Sequence, residues 1–331
     1  MSKFPDRQTA PEKLLPGGAG SHRVNYLRLS VTDRCDFHCR YCMPPGGLRP
    51  AGTDEILTGA EILRFATAAV RAGITRVRIT GGEPLMRRGL QSLIAGLAEI
   101  GGICDLALTT NGSMLRKQAL DLKSAGLMRV NISIDSLDPD RFSRITGGAS
   151  LRTVLAGLEA ALDAGLQPVK VNAVMLAGIE SDLSRFVALI RELPVHVRFI
   201  ELMPVRESSA DGGFVSSDRI FEILTGYGSL KPAAPPAGAG PARYFRLAGA
   251  AGTIGFISPV SHHFCGSCNR LRLTADGRLL GCLFADGDVS IRPYLSDGDA
   301  LTRLIAGTIA GKRYNGMAGS IRTRMMSRIG G

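Results

Sequence analysis

The 331-residue chain has no tryptophan, and aromatic residues make up only 5% of it. That is thin material for the serial base-stacking platforms by which single-stranded nucleic acids are held. No run approaches the roughly 18 to 20 continuous apolar residues of a membrane helix, and the opening MSKFPDRQTAPEK has no apolar stretch of signal-peptide type. The expectation is therefore a cytoplasmic protein with no membrane partner. Acidic residues are also in deficit, 29 against 40 Lys plus Arg, for a formal charge of +11. Such an excess suits phosphate-bearing partners without separating a nucleotide from a nucleic acid. From Leu301 to Gly331 there are six basic residues and no acidic one.

What is present points to a folded globular chain, with 45% hydrophobic and 21% charged residues. At about 150 residues per domain, it is one large domain or a large one plus a small one. The first 22 residues are rich in Pro, Gly and charge and are read as a loose leader. Thereafter β-rich runs alternate with helical patterns. YLRLSV, VRIT, DLALTT, RVNISI, PVKVNAVML and HVRFIEL are separated by helices expected over about 58–72, 87–100, 113–125, 151–164 and 181–193. Alternation of this kind implies parallel strands joined by right-handed crossovers, in an open sheet or a barrel-like one. After Pro204 the rhythm changes. A helical piece near 217–224 precedes KPAAPPAGAGPARY, a surface loop or linker, and the tail reads as short strands followed by a helical stretch from about Leu301. The expected division is 1–22, 23–204 and 205–331.

Polar residues gather where each strand ends, the usual place for ligands in parallel α/β sheets. Strand 1 runs into a cysteine cluster, strand 2 into GGEP, strand 3 into TTNG, strand 4 into Ser133 to Ser136, and strand 6 into Glu201 to Pro204. Strand 5 presents Lys170 and Asn172.

Seven cysteines in a chain expected in a reducing compartment point to metal or redox chemistry rather than disulfides. Cys104, in GGICDLAL, is read as a core cysteine at a strand entry. The other six form two triplets. Cys35, Cys39 and Cys42 make C-x3-C-x2-C, able to converge from one loop on one inorganic centre. Three thiolates on a 4Fe–4S cluster leave one iron open, whereas a zinc loop would need a fourth ligand such as His38. The glycines of GGEP permit close backbone approach, and Glu83 and Pro84 are read as fixing the turn. With Tyr41 before the last cysteine, these residues resemble the radical S-adenosylmethionine superfamily.

Cys265, Cys268 and Cys282 make C-x2-C-x13-C, which by spacing alone suits structural zinc with His262 or His263 as fourth ligand. Arg270 and Arg272 beside it share one face of an extended strand and suit a phosphate chain. LRLSVTDRCDFHCRYCMP, TGGEPL, TTNG, NISIDSL, CGSCNRLRLTADGRLLGCLF and a terminal GG, in that order, resemble the GTP 3′,8-cyclase family from about Arg23 to Gly331.

The resemblance implies an incomplete (βα)6 TIM-like barrel with a C-terminal iron–sulfur-binding extension. It also implies two 4Fe–4S clusters and a carbon–carbon lyase reaction, the first step of molybdenum cofactor biosynthesis. In that reaction a radical made from S-adenosylmethionine takes the C3′ hydrogen of GTP, and C3′ then bonds to C8, giving (8S)-3′,8-cyclo-7,8-dihydroguanosine 5′-triphosphate.

Residue by residue, the resemblance assigns Tyr41, Gly82, Ser133 and Met203 to S-adenosylmethionine, and Arg28, Arg78, Thr109, Lys170, Arg270, Leu271 and Arg272 to GTP. The two cysteine triplets hold the metal. Catalytic roles fall to Arg28, Arg270, Arg272, Gly330 and Gly331, the last two on a tail carrying Arg322, Arg324 and Arg328. Asp36 stands where the family commonly has Asn. Taken singly, each arginine is an ordinary surface charge, Met203 a core residue and the GG end a frayed terminus. Implied partners are an electron donor such as flavodoxin or ferredoxin and, downstream, a cyclic pyranopterin monophosphate synthase; a homodimer is compatible with the resemblance, and nucleic acid is not expected. Two other readings stand beside it: a radical enzyme acting on a peptide or another small molecule, and a zinc-dependent nucleic-acid-binding module.

Overall fold

The computed structural model describes residues 24–43, 52, 55–203, 213–238, 240–284 and 287–312. The leader and the basic tail with Arg322, Arg324, Arg328, Gly330 and Gly331 lie outside the described residues.

Six strands alternate with helices: β1 (Tyr26–Ser30), α1 (Gly59–Arg71), β2 (Arg76–Thr80), α2 (Leu90–Glu99), β3 (Asp105–Thr110), α3 (Leu115–Ser124), β4 (Arg129–Ser133), α4 (Pro139–Thr146), α5 (Leu151–Asp163), β5 (Lys170–Met175), α6 (Leu183–Glu192) and β6 (His196–Glu201). Then follow α7 (Ser217–Thr225), β7 (Leu230–Ala233), β8 (Arg243–Leu247), β9 (Thr253–Ile257), β10 (Arg270–Leu273), β11 (Arg278–Leu280), β12 (Val289–Ser290) and α8 (Gly298–Ala310). Local chemistry sets many ends. Thr58 and Glu61 form a reciprocal capping box on α1. Asp297 caps α8 through the amides of Asp299 and Ala300, so this helix starts a turn before Leu301. The helix α4 was not expected; its signal was the Asp138 cap followed by Pro139 at the first helical position.

The twelve strands among the described residues form one sheet in the order β12-β11-β10-β1-β2-β3-β4-β5-β6-β9-β8-β7. The six-strand βα series is continued by a parallel strand on each side, β10 beside β1 and β9 beside β6. Both come from the segment after 204, which thus joins both edges of the series. The Pro/Gly-rich stretch enters a short edge strand, β7, where a missing proline amide is tolerated.

The period of two divides each strand between two environments. Leu27, Leu29, Val77, Ile79, Val130, Ile132, Val171 and Val197 are buried under the helices within one continuous apolar core. Residues between them, such as Arg28, Arg78, Asn131 and Arg198, face a cavity. Cys104 is a correction: it is exposed, at the turn before β3, and its thiol donates to the Thr75 carbonyl at 3.3 Å. The strand begins one residue later, so the apolar environment starts with Leu106.

Candidate functional site

A cavity of about 360 Å³ opens along the parallel strands and is lined by both cysteine triplets. Its lining includes the cations Arg28, Arg78, Arg198, Arg270, Arg272 and Lys312 and also Tyr41, Gly82, Ser133, Asp135 and Met203.

The first triplet follows β1 and is seated by GGEP. Gly82 donates its amide to the Thr32 carbonyl and Glu83 to that of Arg34, both at 2.7 Å. A Cβ on Gly82 would lie 2.3 Å from the Arg34 oxygen, and one on Gly81 2.6 Å from that of Thr32. The close approach that glycine permits here is therefore to the chain leading into Cys35. Glu83 fixes the turn by accepting from the Leu85 amide at 3.0 Å and from the Thr110 hydroxyl and Asn111 amide at 2.7 Å. Burial pushes its carboxyl up to about 7 against those hydrogen bonds. Asp36 accepts from Asn111 Nδ2 and Ser113 Oγ, each at 2.7 Å, a pair of donors that a carboxylate serves with both oxygens. Tyr41 donates to Asp135 Oδ2 at 2.7 Å, and the Val174 amide reaches the other oxygen at 2.9 Å.

The second triplet lies where β10 enters the sheet. Tyr26 and Arg28 are register partners of Arg270 and Arg272. Arg270 lies over the Phe264 ring, 5.4 Å from its centroid. The intervening Leu271 turns to the opposite face and is fully buried in the apolar core. Arg78 bonds Tyr26 and reaches Thr109 Oγ1 at 3.4 Å, where Asn131 also donates at 3.2 Å. Met203 packs with Phe284 against Leu283, just beyond Cys282.

Lys170 stands apart from the cavity lining. It is buried at the start of β5, and its Nζ donates to the Ala237 carbonyl at 2.6 Å, with those of Pro236 and Gly238 at 3.5 Å. The Pro/Gly-rich segment thus folds back beneath the strands.

The residue that reading the chain missed is Arg198. It is buried, lines the cavity and donates to Asn172 Oδ1 at 2.8 Å, its register partner on β5. Its signal was the alternation in HVRFIEL, which puts an arginine between two core residues. Lys312 was noted only as one of the basic residues of the tail.

All six triplet cysteines are free thiols and half-buried. Among the described residues, no three Cys, His, Asp or Glu side chains converge as a ready-made metal cage. The fit to iron–sulfur groups rests on donor chemistry and position: two sets of three thiols on one cavity. Burial holds the Cys35 thiol up at about 12 and Cys39 well above its ordinary range, and the charge of a bound metal would favour their thiolates. At Cys268 burial opposes ionisation too, but Arg270 and Lys312 outweigh it and the net shift is downward. The fourth ligands that zinc would need are elsewhere. His38 and His263 are exposed and His262 bonds Asp218 at 3.0 Å, and none of the three lines the cavity.

A parallel α/β partial barrel with a cysteine triplet and a GGEP turn at its strand ends defines a radical S-adenosylmethionine enzyme. Residues 29–190 match the family model of the Radical SAM superfamily, and residues 195–317 match Molybdenum Cofactor Synthesis C. The fold resembles Streptococcus suis SuiB, crystallised bound to S-adenosylmethionine, with a TM-score of 0.61 at 14% identity, over 88% of this chain and 69% of that one. The GTP 3′,8-cyclase of Pelotomaculum thermopropionicum is 46% identical over 93% of this chain and 98% of its own length. That of Moorella thermoacetica is 44% identical, with the same shares covered. The chain belongs to the GTP 3′,8-cyclase family.

Proposed function

We propose that this chain cyclises GTP to (8S)-3′,8-cyclo-7,8-dihydroguanosine 5′-triphosphate by radical S-adenosylmethionine chemistry, as the first step of molybdenum cofactor biosynthesis. The observation that carries the reading is the joining of two cysteine triplets to one cavity by a band of buried arginines. When bound at Cys35, Cys39 and Cys42, a 4Fe–4S cluster supplies the electron that cleaves S-adenosylmethionine to methionine and a hydrogen-abstracting 5′-deoxyadenosyl radical. Tyr41, Gly82, Ser133 and Met203 hold the S-adenosylmethionine. Arg28, Arg78, Arg198, Arg270 and Arg272, with Thr109, bind and orient the triphosphate and ribose, a task suited to guanidinium forks in a dry cavity. Cys265, Cys268 and Cys282 would hold the second 4Fe–4S cluster, which would supply a site for the guanine end of the nucleotide.

Orientation is the chain's main contribution. Holding the nucleotide at both ends fixes C3′ toward the first triplet, and the same grip holds C8 within reach of C3′. Lys170 contributes at the inner end of the strands, where it ties down the segment carrying Pro236 to Gly238. The reading also carries a catalytic role for Gly330 and Gly331, a flavodoxin- or ferredoxin-type donor, coupling to cyclic pyranopterin monophosphate synthase, a homodimer and a cytoplasmic location.

The test is an anaerobic reaction of reconstituted protein with C3′-deuterated GTP, S-adenosylmethionine and a strong reductant. Deuterium in 5′-deoxyadenosine together with a cyclised GTP isomer is the expected result. 5′-Deoxyadenosine without any GTP-derived product would reject GTP as substrate.

A further inference from the structure

The side chain of Lys312 is not explained by the nucleotide or by packing alone. It is 8% exposed, beyond the end of α8, and its Nζ lies 2.5 Å from both the Arg270 and the Gly281 carbonyl oxygens. These two carbonyls belong to the two arms of the β10–β11 hairpin. The ladder between the arms runs through Leu273↔Leu279 and Arg272↔Leu280 and then stops. Arg270 and Gly281 are therefore on the arms beyond the last ladder pair. Arg270 is two residues after Cys268, and Gly281 immediately precedes Cys282. One ammonium thus joins the strand ends that carry two cysteines of the second triplet. Lys312 also lines the same cavity as Cys268 and Cys282. The helix that delivers it is anchored independently, since Leu301 and Ile305 of α8 are buried in the main core.

We propose that Lys312 is a positioning residue for the second cysteine triplet: its ammonium clasps the open end of the β10–β11 hairpin, sets Cys268 against Cys282, and places a fixed positive charge beside the centre they hold. The proposal rests on the reading that Cys265, Cys268 and Cys282 hold a cluster. Two consequences follow from the chemistry. A cation beside an iron–sulfur centre favours the reduced form, so it raises the potential. A clasp with three N–H donors and two carbonyl acceptors also restrains the backbone before any metal arrives.

The experiment uses the full chain with Cys35→Ala, Cys39→Ala and Cys42→Ala, so that only the second centre can load. Into this parent are placed Lys312→Met, close in shape and uncharged, and Lys312→Arg, which keeps the charge. After anaerobic reconstitution, iron content is measured and the midpoint potential is followed by electron paramagnetic resonance. The expected result is a more negative midpoint for the Met variant and recovery toward the parent for Arg. Equal midpoints in all three, or the same displacement for Arg as for Met, overturn the electrostatic role. Iron loss confined to Met supports the clasp, and equal iron loss in Met and Arg overturns the dependence on charge.

Amide hydrogen exchange of the metal-free proteins is the second measurement. Faster exchange around 268–272 and 279–283 in the Met variant alone is expected, and unchanged exchange there rejects the clasp. A parent that takes up no iron refutes the cluster reading itself and removes the electrostatic half with it; the exchange data then decide the clasp by themselves.

Discussion

Arg28 on β1 and Arg272 on β10 are direct register partners across a parallel strand pair, although 243 residues lie between them in the chain. Like charges opposed in a sheet repel. Burial first, and then Arg272 and Arg78, hold the Arg28 guanidinium well below its ordinary range. Burial and the neighbouring Arg270 bring Arg272 to about 10. A polyanion placed between them relieves that repulsion.

Replacing Arg272 by Met is therefore expected to leave the GTP-free protein at equal or higher thermal stability while weakening GTP binding. Loss of one charge-assisted contact of about 1.5 to 3 kcal/mol corresponds to roughly tenfold or more in affinity. Anaerobic calorimetry with GTP and a thermal melt of the metal-free protein check the two halves. A variant that melts lower and binds GTP normally would contradict the assignment.

Gly82→Ala brings a methyl group against the Arg34 carbonyl, a backbone atom that cannot swing away. The chain into Cys35 must move. The expected outcome is a protein that retains its C-terminal iron, loses iron at the first triplet and forms no 5′-deoxyadenosine. Iron analysis in a background lacking Cys265, Cys268 and Cys282 isolates the effect, and normal loading there would refute it.

Glu83 accepts three hydrogen bonds while fully buried. Glu83→Ala leaves those donors without an acceptor, at about 1 to 3 kcal/mol for each group left unsatisfied. Urea unfolding is expected to show several kcal/mol of destabilisation, and Glu83→Gln, which keeps one oxygen, is expected to fall between Ala and the parent. A destabilisation under about 1 kcal/mol for Ala would mean that water replaces the carboxylate.

Burial first, followed by Arg198, Arg129 and Arg78, lowers the Lys170 pKa to about 6 from the ordinary 10.5. Between those two values the unfolded chain binds a proton that the folded chain does not, so this group makes folding stability rise with pH. Below about 6 both states are protonated and its slope vanishes. Comparison of Lys170→Met with the parent in urea at pH 7, 8 and 9 is expected to show the parent gaining up to about 1.4 kcal/mol per pH unit relative to the variant. Parallel stability curves would show that Lys170 stays charged on the Pro236 to Gly238 carbonyls.

The six strands of the βα series were legible because hydrophobic alternation and helix caps are local properties. Thr58 with Glu61 marks the start of α1 in four residues. The signal for α4, Asp138 with Pro139, is as local, but the helix it starts ends at Thr146, only four residues before α5 begins, and it is masked by the stronger pattern that follows. Cys104 failed for the opposite reason: the apolar run that follows begins two residues too late to bury it. At the site, both triplets and the Arg270 and Arg272 pair could be read from spacing, whereas Arg198 and Lys312 had no motif around them and acquire meaning only from what lies opposite.

The sequence by itself determined which residues alternate between core and cavity, where the sulfur donors fall in the chain, and that the chemistry belongs to the strand ends. Those are consequences of periodicity, spacing and side-chain type. Tertiary structure alone decided that β9 and β10 would flank the series, that Arg28 would meet Arg272, and that Lys312 would bridge Arg270 and Gly281. The physical reason is that strand edges present unpaired backbone groups which any compatible strand can satisfy. Which strand does so depends on closing the whole barrel at once, and no local stretch of sequence carries that information.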